Sequence, residues 1–186
     1  MSARWSPYII AGAMWPPRNP LHIARRYVRD AWLAEVVGVV RPKVMVETGI
    51  FHGRSATALL AASESWGGRL WSIDISPATP DGVAVGKLVP PALRRRWTVL
   101  IGDSAVELPR VLDKLGTVDL FLHDSDHTFG TMTREYTQAW PHLRDGGALA
   151  SDDVKMNDAF SRFAEGVHRR AEIWYSPYGE QAAIFA

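Results

Sequence analysis

Short apolar runs alternate with helix-forming segments along most of this chain, and each of the first five runs ends on or just before an acid. The runs lie at 44–46, 70–73, 97–101, 118–122 and 148–150, and the acids that follow them are Glu47, Asp74, Asp103, Asp124 and Asp152. Helical segments are expected at 53–63, 104–115, 128–143 and 157–169, between and after these runs. Strands joined through helices need crossover connections, so the five should be parallel neighbours in one buried sheet. In an open sheet of this kind ligands sit beyond the carboxyl ends of the strands. The acids therefore stand where a ligand would.

The flanks complete the pattern. Residues 1–18 are an irregular, proline-containing leader, and 21–40 carries apolar residues at three- and four-residue steps up to Pro42, an amphipathic helix. The segment before Arg96 stays ambiguous, because Pro90-Pro91 breaks a helix there. Two last apolar runs, 173–175 and 182–185, flank Pro177-Tyr178-Gly179 and read as a hairpin. The fold expected is a single α/β unit over 1–186: a leader and helix over 1–42 that cover the substrate, then a core over 43–186.

Composition narrows the function. There are 186 residues, 47% hydrophobic and 22% charged, with 21 Lys+Arg against 20 Asp+Glu. That balance excludes a disordered or low-complexity chain and gives no broad basic surface for nucleic acid. Cysteine is absent, which removes disulfides, thiolate nucleophiles and Cys-ligated metals and fits a cytoplasmic protein. No run is long enough to span a bilayer, so no membrane partner is expected. Arg94-Arg95-Arg96 with Lys87, and Arg25-Arg26, are small basic patches, which are usually solvated helix faces.

The strand ends carry the candidate chemistry. Glu47-Thr48-Gly49-Ile50-Phe51-His52-Gly53-Arg54-Ser55 is a glycine-bearing turn into a helix, suited to close backbone approach of a ligand. A plain strand-to-helix turn explains it equally well. The spacing is not the dinucleotide G-x-G-x-x-G, which counts against NAD or FAD. Asp74 can accept both hydroxyls of a ribose, or cap a turn. Asp103 and Ser104 can cap the next helix or border a base. Asp124, Asp126, Asp152 and Asp153 gather at adjacent strand ends, where like charges repel unless a cation intervenes. Oxygen donors of this kind suit Mg²⁺, Ca²⁺ or Mn²⁺. The alternative makes Asp152 and Asp153 caps of the following helix and leaves Asp124 and Asp126 solvated. His127 is the best-placed general base by its ordinary pKa, with a loop hydrogen bond as its other reading. His52 and His142 are read as structural, and Arg54 as a solvated helix residue, with contact to an acidic substrate group as its other reading.

Taken together these motifs resemble class I S-adenosylmethionine-dependent methyltransferases, specifically small bacterial O-methyltransferases and the caffeoyl-CoA and catechol O-methyltransferase group. The E-x-G-x-x-x-G-x-S motif is met by Glu47, Gly49, Gly53 and Ser55, with Ile50 and Phe51 in the same turn. The resemblance implies a Rossmann-like, seven-stranded, mostly parallel sheet closed by an antiparallel hairpin. It implies S-adenosylmethionine on the Glu47–Ser55 turn, with its ribose on Asp74 and its adenine by Asp103 and Ser104. Asp126 would reach the cofactor as well. It further implies a divalent cation such as Mg²⁺ on Asp124, Asp152 and Asp153, an acceptor touched by Asn157, and a homodimer. Asp153 stands where the group has asparagine. The expected reaction is O-methylation of a small hydroxylated molecule, with Asp124 and His127 catalytic. Its rivals are a cephalosporin-hydroxylase-like protein, a non-catalytic cofactor-binding module and, less so, a nucleic-acid methyltransferase.

Overall fold

A computed structural model describes residues 30–176 and 179–186. The leader with its aromatic residues, the first part of the expected 21–40 helix, and Tyr178 lie outside the described residues. In chain order the elements are α1 (Ala31–Val40), β1 (Val44–Thr48), α2 (Arg54–Ala62), β2 (Arg69–Asp74), α3 (Pro91–Arg94), β3 (Trp97–Ile101), α4 (Ser104–Leu115), β4 (Val118–His123), α5 (Phe129–Ala139), β5 (Leu143–Ser151), α6 (Ala159–Gly166), β6 (Glu172–Ser176) and β7 (Gly179–Phe185), with 3₁₀ turns at Glu64–Trp66 and Trp140–His142.

The strands form one seven-stranded sheet in the order β3-β2-β1-β4-β5-β7-β6. Pairings among β1 to β5 are parallel, and β7 runs antiparallel to both β5 and β6. The α/β class, the parallel core and the terminal hairpin are thus as expected. Successive strand residues point to opposite faces, and this divides the core in two. Met45, Leu120, Leu122, Ala148 and Ala150 pack beneath α1 and α2 with Val36, Val37, Leu59 and Leu60. Val46, Phe121 and Leu149 pack beneath α4, α5 and α6 with Leu108, Leu112, Met132, Tyr136 and Phe160. Apolar burial on both faces is what makes the strands read as continuous hydrophobic runs. No described helix is long and apolar enough to cross a membrane.

Several boundaries differ from expectation. Pro91 starts a one-turn helix instead of preventing one, since proline's missing N–H costs nothing at the first helical position. The 128–143 helix ends at Ala139, where Trp140-Pro141-His142 tighten into a 3₁₀ turn. β5 begins at Leu143, five residues early, crossing Gly146 at φ 72° where its register on β4 shifts. At the opposite edge from the acids, Asp119 anchors the amino end of β1: Oδ2 accepts from Lys43 N and Val44 N at 2.7 and 2.8 Å, and Oδ1 takes Arg144 Nε.

Candidate active site

A cleft of about 910 Å³ opens over the carboxyl ends of the parallel strands. It gathers Gly49, Ile50, Phe51 and Ser55 from the first turn, Asp74 from β2, Asp103 and Ser104 after β3, Asp124 and Asp126 after β4, and Asp152 after β5. The sequence motifs converge on one hollow because parallel strands deliver all their carboxyl ends to the same edge.

Each member is held differently. Asp74 Oδ2 accepts from Ile50 N and Phe51 N at 2.9 and 3.1 Å, and Oδ1 accepts from Ser76 N at 3.1 Å. One carboxylate thereby shapes the turns after both β1 and β2. Asp103 caps α4 by accepting from Ala105 N at 2.8 Å. Asp126 Oδ2 accepts from the Thr128 and Thr131 hydroxyls at 2.6 and 2.8 Å, and these bonds hold its carboxyl below the usual range. Phe51 and Ile75 remain 55% and 74% exposed at the cleft, apolar surfaces against which a planar base can lie.

Glu47 and Gly53 lie beneath the cleft, not on its wall. Glu47 is fully buried; Oε2 accepts from Ser72 Oγ at 2.6 Å, while Oε1 has no hydrogen-bond partner. Burial pushes its carboxyl up to about 7 against the hydrogen bonds that favour ionisation. A raised folded-state pKa gives stability that is complete below the ordinary value near 4.5 and falls as pH rises to 7. Unfolding free energies from urea melts should therefore drop from pH 5 to pH 8 by about 2 kcal/mol more in the native chain than in Glu47→Gln.

The glycines serve the chain's own packing. A Cβ on Gly49, at φ 83°, would stand 1.9 Å from the Asp124 carbonyl oxygen. One on Gly53, at φ 84°, would stand 2.7 Å from Gly86 Cα. The close backbone approach expected of a ligand is made by the β4 and 82–89 loops instead.

The expected metal set is divided. Asp124 and Asp152 line the cleft, but Asp153 turns away at φ 47° into a second depression of about 430 Å³ beside the terminal hairpin. Its Oδ1 sits 2.3 Å from where a Cβ on Gly179 would be. Asp152 Oδ1 already accepts from Gln181 Nε2 at 2.9 Å and Asp153 N at 3.0 Å. Among the described residues no three His, Cys, Asp or Glu groups are arranged to hold a metal ion. These donors do not fit a divalent cation, since a hard ion needs several oxygens converging on one point. Titration of Mn²⁺ into the purified protein, followed by the free-ion EPR signal, should show no site tighter than about 1 mM, a value at the weak end of oxygen-ligand sites.

His127 is not on the cleft wall. Its ring stands edge-on to His123 at 5.2 Å, and its Nε2 is buried without a partner. Burial, then His123, holds its pKa below the ordinary histidine value. Asn157 ties loops together: Nδ2 donates to the His127 carbonyl at 2.9 Å and Oδ1 accepts from Ala159 N at 2.9 Å. His142 is structural, on the Gly116 carbonyl at 2.9 Å. Among the basic residues, Arg94 and Arg96 serve backbone carbonyls of Val89, Gly86, Leu60 and Gly68.

The sequence reading missed several cleft residues. Arg54, read as solvated, lines the cleft and pairs with Asp30 at 3.1 Å. His52 also lines it, 3.4 Å from Asp81. Arg134 lines it with a buried Nε that has no partner. Glu135, buried beneath, was legible only as a carboxylate on the apolar stripe Met132–Tyr136–Ala139 of α5.

A sheet of this order with a nucleoside-sized, acid-lined cleft at its carboxyl edge defines the class I methyltransferase architecture. A profile described as "Methyltransferase domain" matches residues 46–154, more than half of the sequence, and the chain belongs to that family. Solved structures share the fold. The O-methyltransferase from Bacillus cereus in complex with SAH is 17% identical, with a TM-score of 0.68 over 86% of this chain and 81% of that one. The O-methyltransferase TomG from Streptomyces achromogenes, involved in tomaymycin synthesis and solved with SAM, is also 17% identical, with a TM-score of 0.68 over 86% and 80%. The SAH-bound methyltransferase PaMTH1 from Podospora anserina is 16% identical, with a TM-score of 0.64 over 90% and 82%. No curated protein matches the sequence.

Proposed function

We propose that this chain transfers the methyl group of S-adenosylmethionine to a hydroxyl oxygen of a small acceptor. The observation that carries the reading is the cleft itself. Six carboxylates (Asp30, Asp74, Asp103, Asp124, Asp126 and Asp152) face two arginines in it, with apolar Phe51 and Ile75 at hand. Such a surround favours a cation that also carries a planar base and a diol.

S-adenosylmethionine supplies an electrophilic methyl group on a sulfonium. Asp74 stands ready for the ribose hydroxyls, and Asp103 and Ser104 border the base. Phe51 and Ile75 exclude water from its faces. Asp124, on the wall between the turns after β1 and β5, orients the acceptor hydroxyl and takes its proton as the new carbon–oxygen bond forms. It replaces His127 in that role because it faces the cleft. Alignment of oxygen and methyl carbon in the cleft supplies several kcal/mol of the acceleration in a displacement of this type.

The test incubates the protein with S-adenosylmethionine and a panel of catechols, phenols and hydroxylated acids. Formation of S-adenosylhomocysteine with an acceptor gaining the mass of a methylene supports the reading. Gain of one oxygen points to the hydroxylase alternative. Calorimetric binding of cofactor with no turnover across the panel supports a binding module instead.

A further inference from the structure

We propose that Glu135 is a positioning residue of the cofactor cleft, a buried carboxylate that locks together the carboxyl ends of β1 and β4 and the loop after β4. The inference rests on the reading of that cleft as the cofactor site. Glu135 is fully buried on α5, below the cleft floor. Its Oε2 accepts from Thr48 Oγ1 at 2.5 Å and from His123 Nδ1 at 2.6 Å, and its Oε1 from Ser125 Oγ at 3.0 Å. Thr48 and His123 are direct neighbours across β1 and β4, the last residue of each strand. Immediately after them come Gly49 and Asp124, both on the cleft wall with Ser104 and Ser125.

Burial pushes Glu135 toward neutrality, but its bonds to His123 and Thr48 outweigh that and hold it ionised below the usual glutamate range. An ionised carboxylate only accepts, so all these partners must donate and their orientations are fixed at once. Apart from the Tyr136–Ser151 hydroxyl pair at 2.7 Å, the rest of this face of the sheet is largely apolar. A buried charge there is a poor way to gain stability and a good way to fix one arrangement among several. What it fixes is the junction where the Asp124 amide donates to the Thr48 carbonyl at 2.9 Å and the Asp124 carbonyl fills the space of a Gly49 side chain.

The experiment measures S-adenosylhomocysteine binding by calorimetry, with thermal midpoints, for the native chain, Glu135→Gln, Ser125→Ala and Asp119→Asn. Asp119 anchors the far edge of the sheet and controls for lost stability. Glu135→Gln should raise Kd about 10-fold, the scale expected when a site is loosened by a fraction of an ångström. Ser125→Ala should raise it about threefold, and Asp119→Asn should leave it unchanged despite a lower midpoint. If Glu135→Gln does not fold, Ser125→Ala decides alone, because it removes one arm only. Native affinity in the glutamine variant, or equal weakening in Asp119→Asn, overturns the proposal. Silence of the native chain overturns the cofactor reading beneath it.

Discussion

Gly49→Ala is expected to destabilise the protein by at least about 4 kcal/mol, the range reserved for substitutions with a specific steric cause. The added methyl would meet the Asp124 carbonyl oxygen at 1.9 Å, its carbon at 2.5 Å and Ser125 Cα at 2.9 Å. All three are backbone atoms, so no rotamer change relieves the clash. The backbone at φ 83° adds its own penalty for any L side chain. For a chain of this length such a loss lowers the thermal midpoint by about 10 °C. Gly67→Ala is the control: its left-handed backbone has a similar φ of 74°, but nothing lies within 4 Å of the new Cβ. The difference between the two midpoints isolates the collision from the dihedral strain, and equal midpoints would contradict the packing described here.

Asp74→Ala should weaken S-adenosylmethionine binding roughly 100-fold, the scale of losing charged hydrogen bonds in a site. Two losses combine. On the proposed cofactor reading the ribose hydroxyls would lose their acceptor, and the amides of Ile50, Phe51 and Ser76 lose the carboxylate that shapes both turns. Asp74→Asn should fall between, because one oxygen still accepts while the amide nitrogen cannot. Calorimetry at constant salt reads both, and unchanged affinity in the alanine variant removes Asp74 from the cofactor site.

Much of the fold was legible because burial on both faces of the central strands β1 and β4 leaves nearly unbroken apolar runs; β3, half-exposed at the sheet edge, and α4 also fall where the sequence placed them. The cleft membership of Asp74, Asp103, Asp124, Asp126 and Asp152 was legible for the same reason: residues just past parallel strands share an edge. What escaped depends on side-chain direction. Asp152 and Asp153 are adjacent in sequence, yet a left-handed residue at 153 sends them into different hollows. Arg54 joins the cleft through Asp30, twenty-four positions away. Glu135 meets Thr48 across eighty-seven. Pairings over such distances are set by how layers stack, and periodicity carries no trace of them.

Position 153 also shows what the corner after β5 demands of its side chain. The left-handed backbone there is one that aspartate and asparagine adopt more readily than other side chains bearing a Cβ. Exchange between those two letters therefore preserves the corner whatever its carboxyl or amide does. The aspartate here is accounted for by the shape of the corner alone, whatever surrounds its side chain.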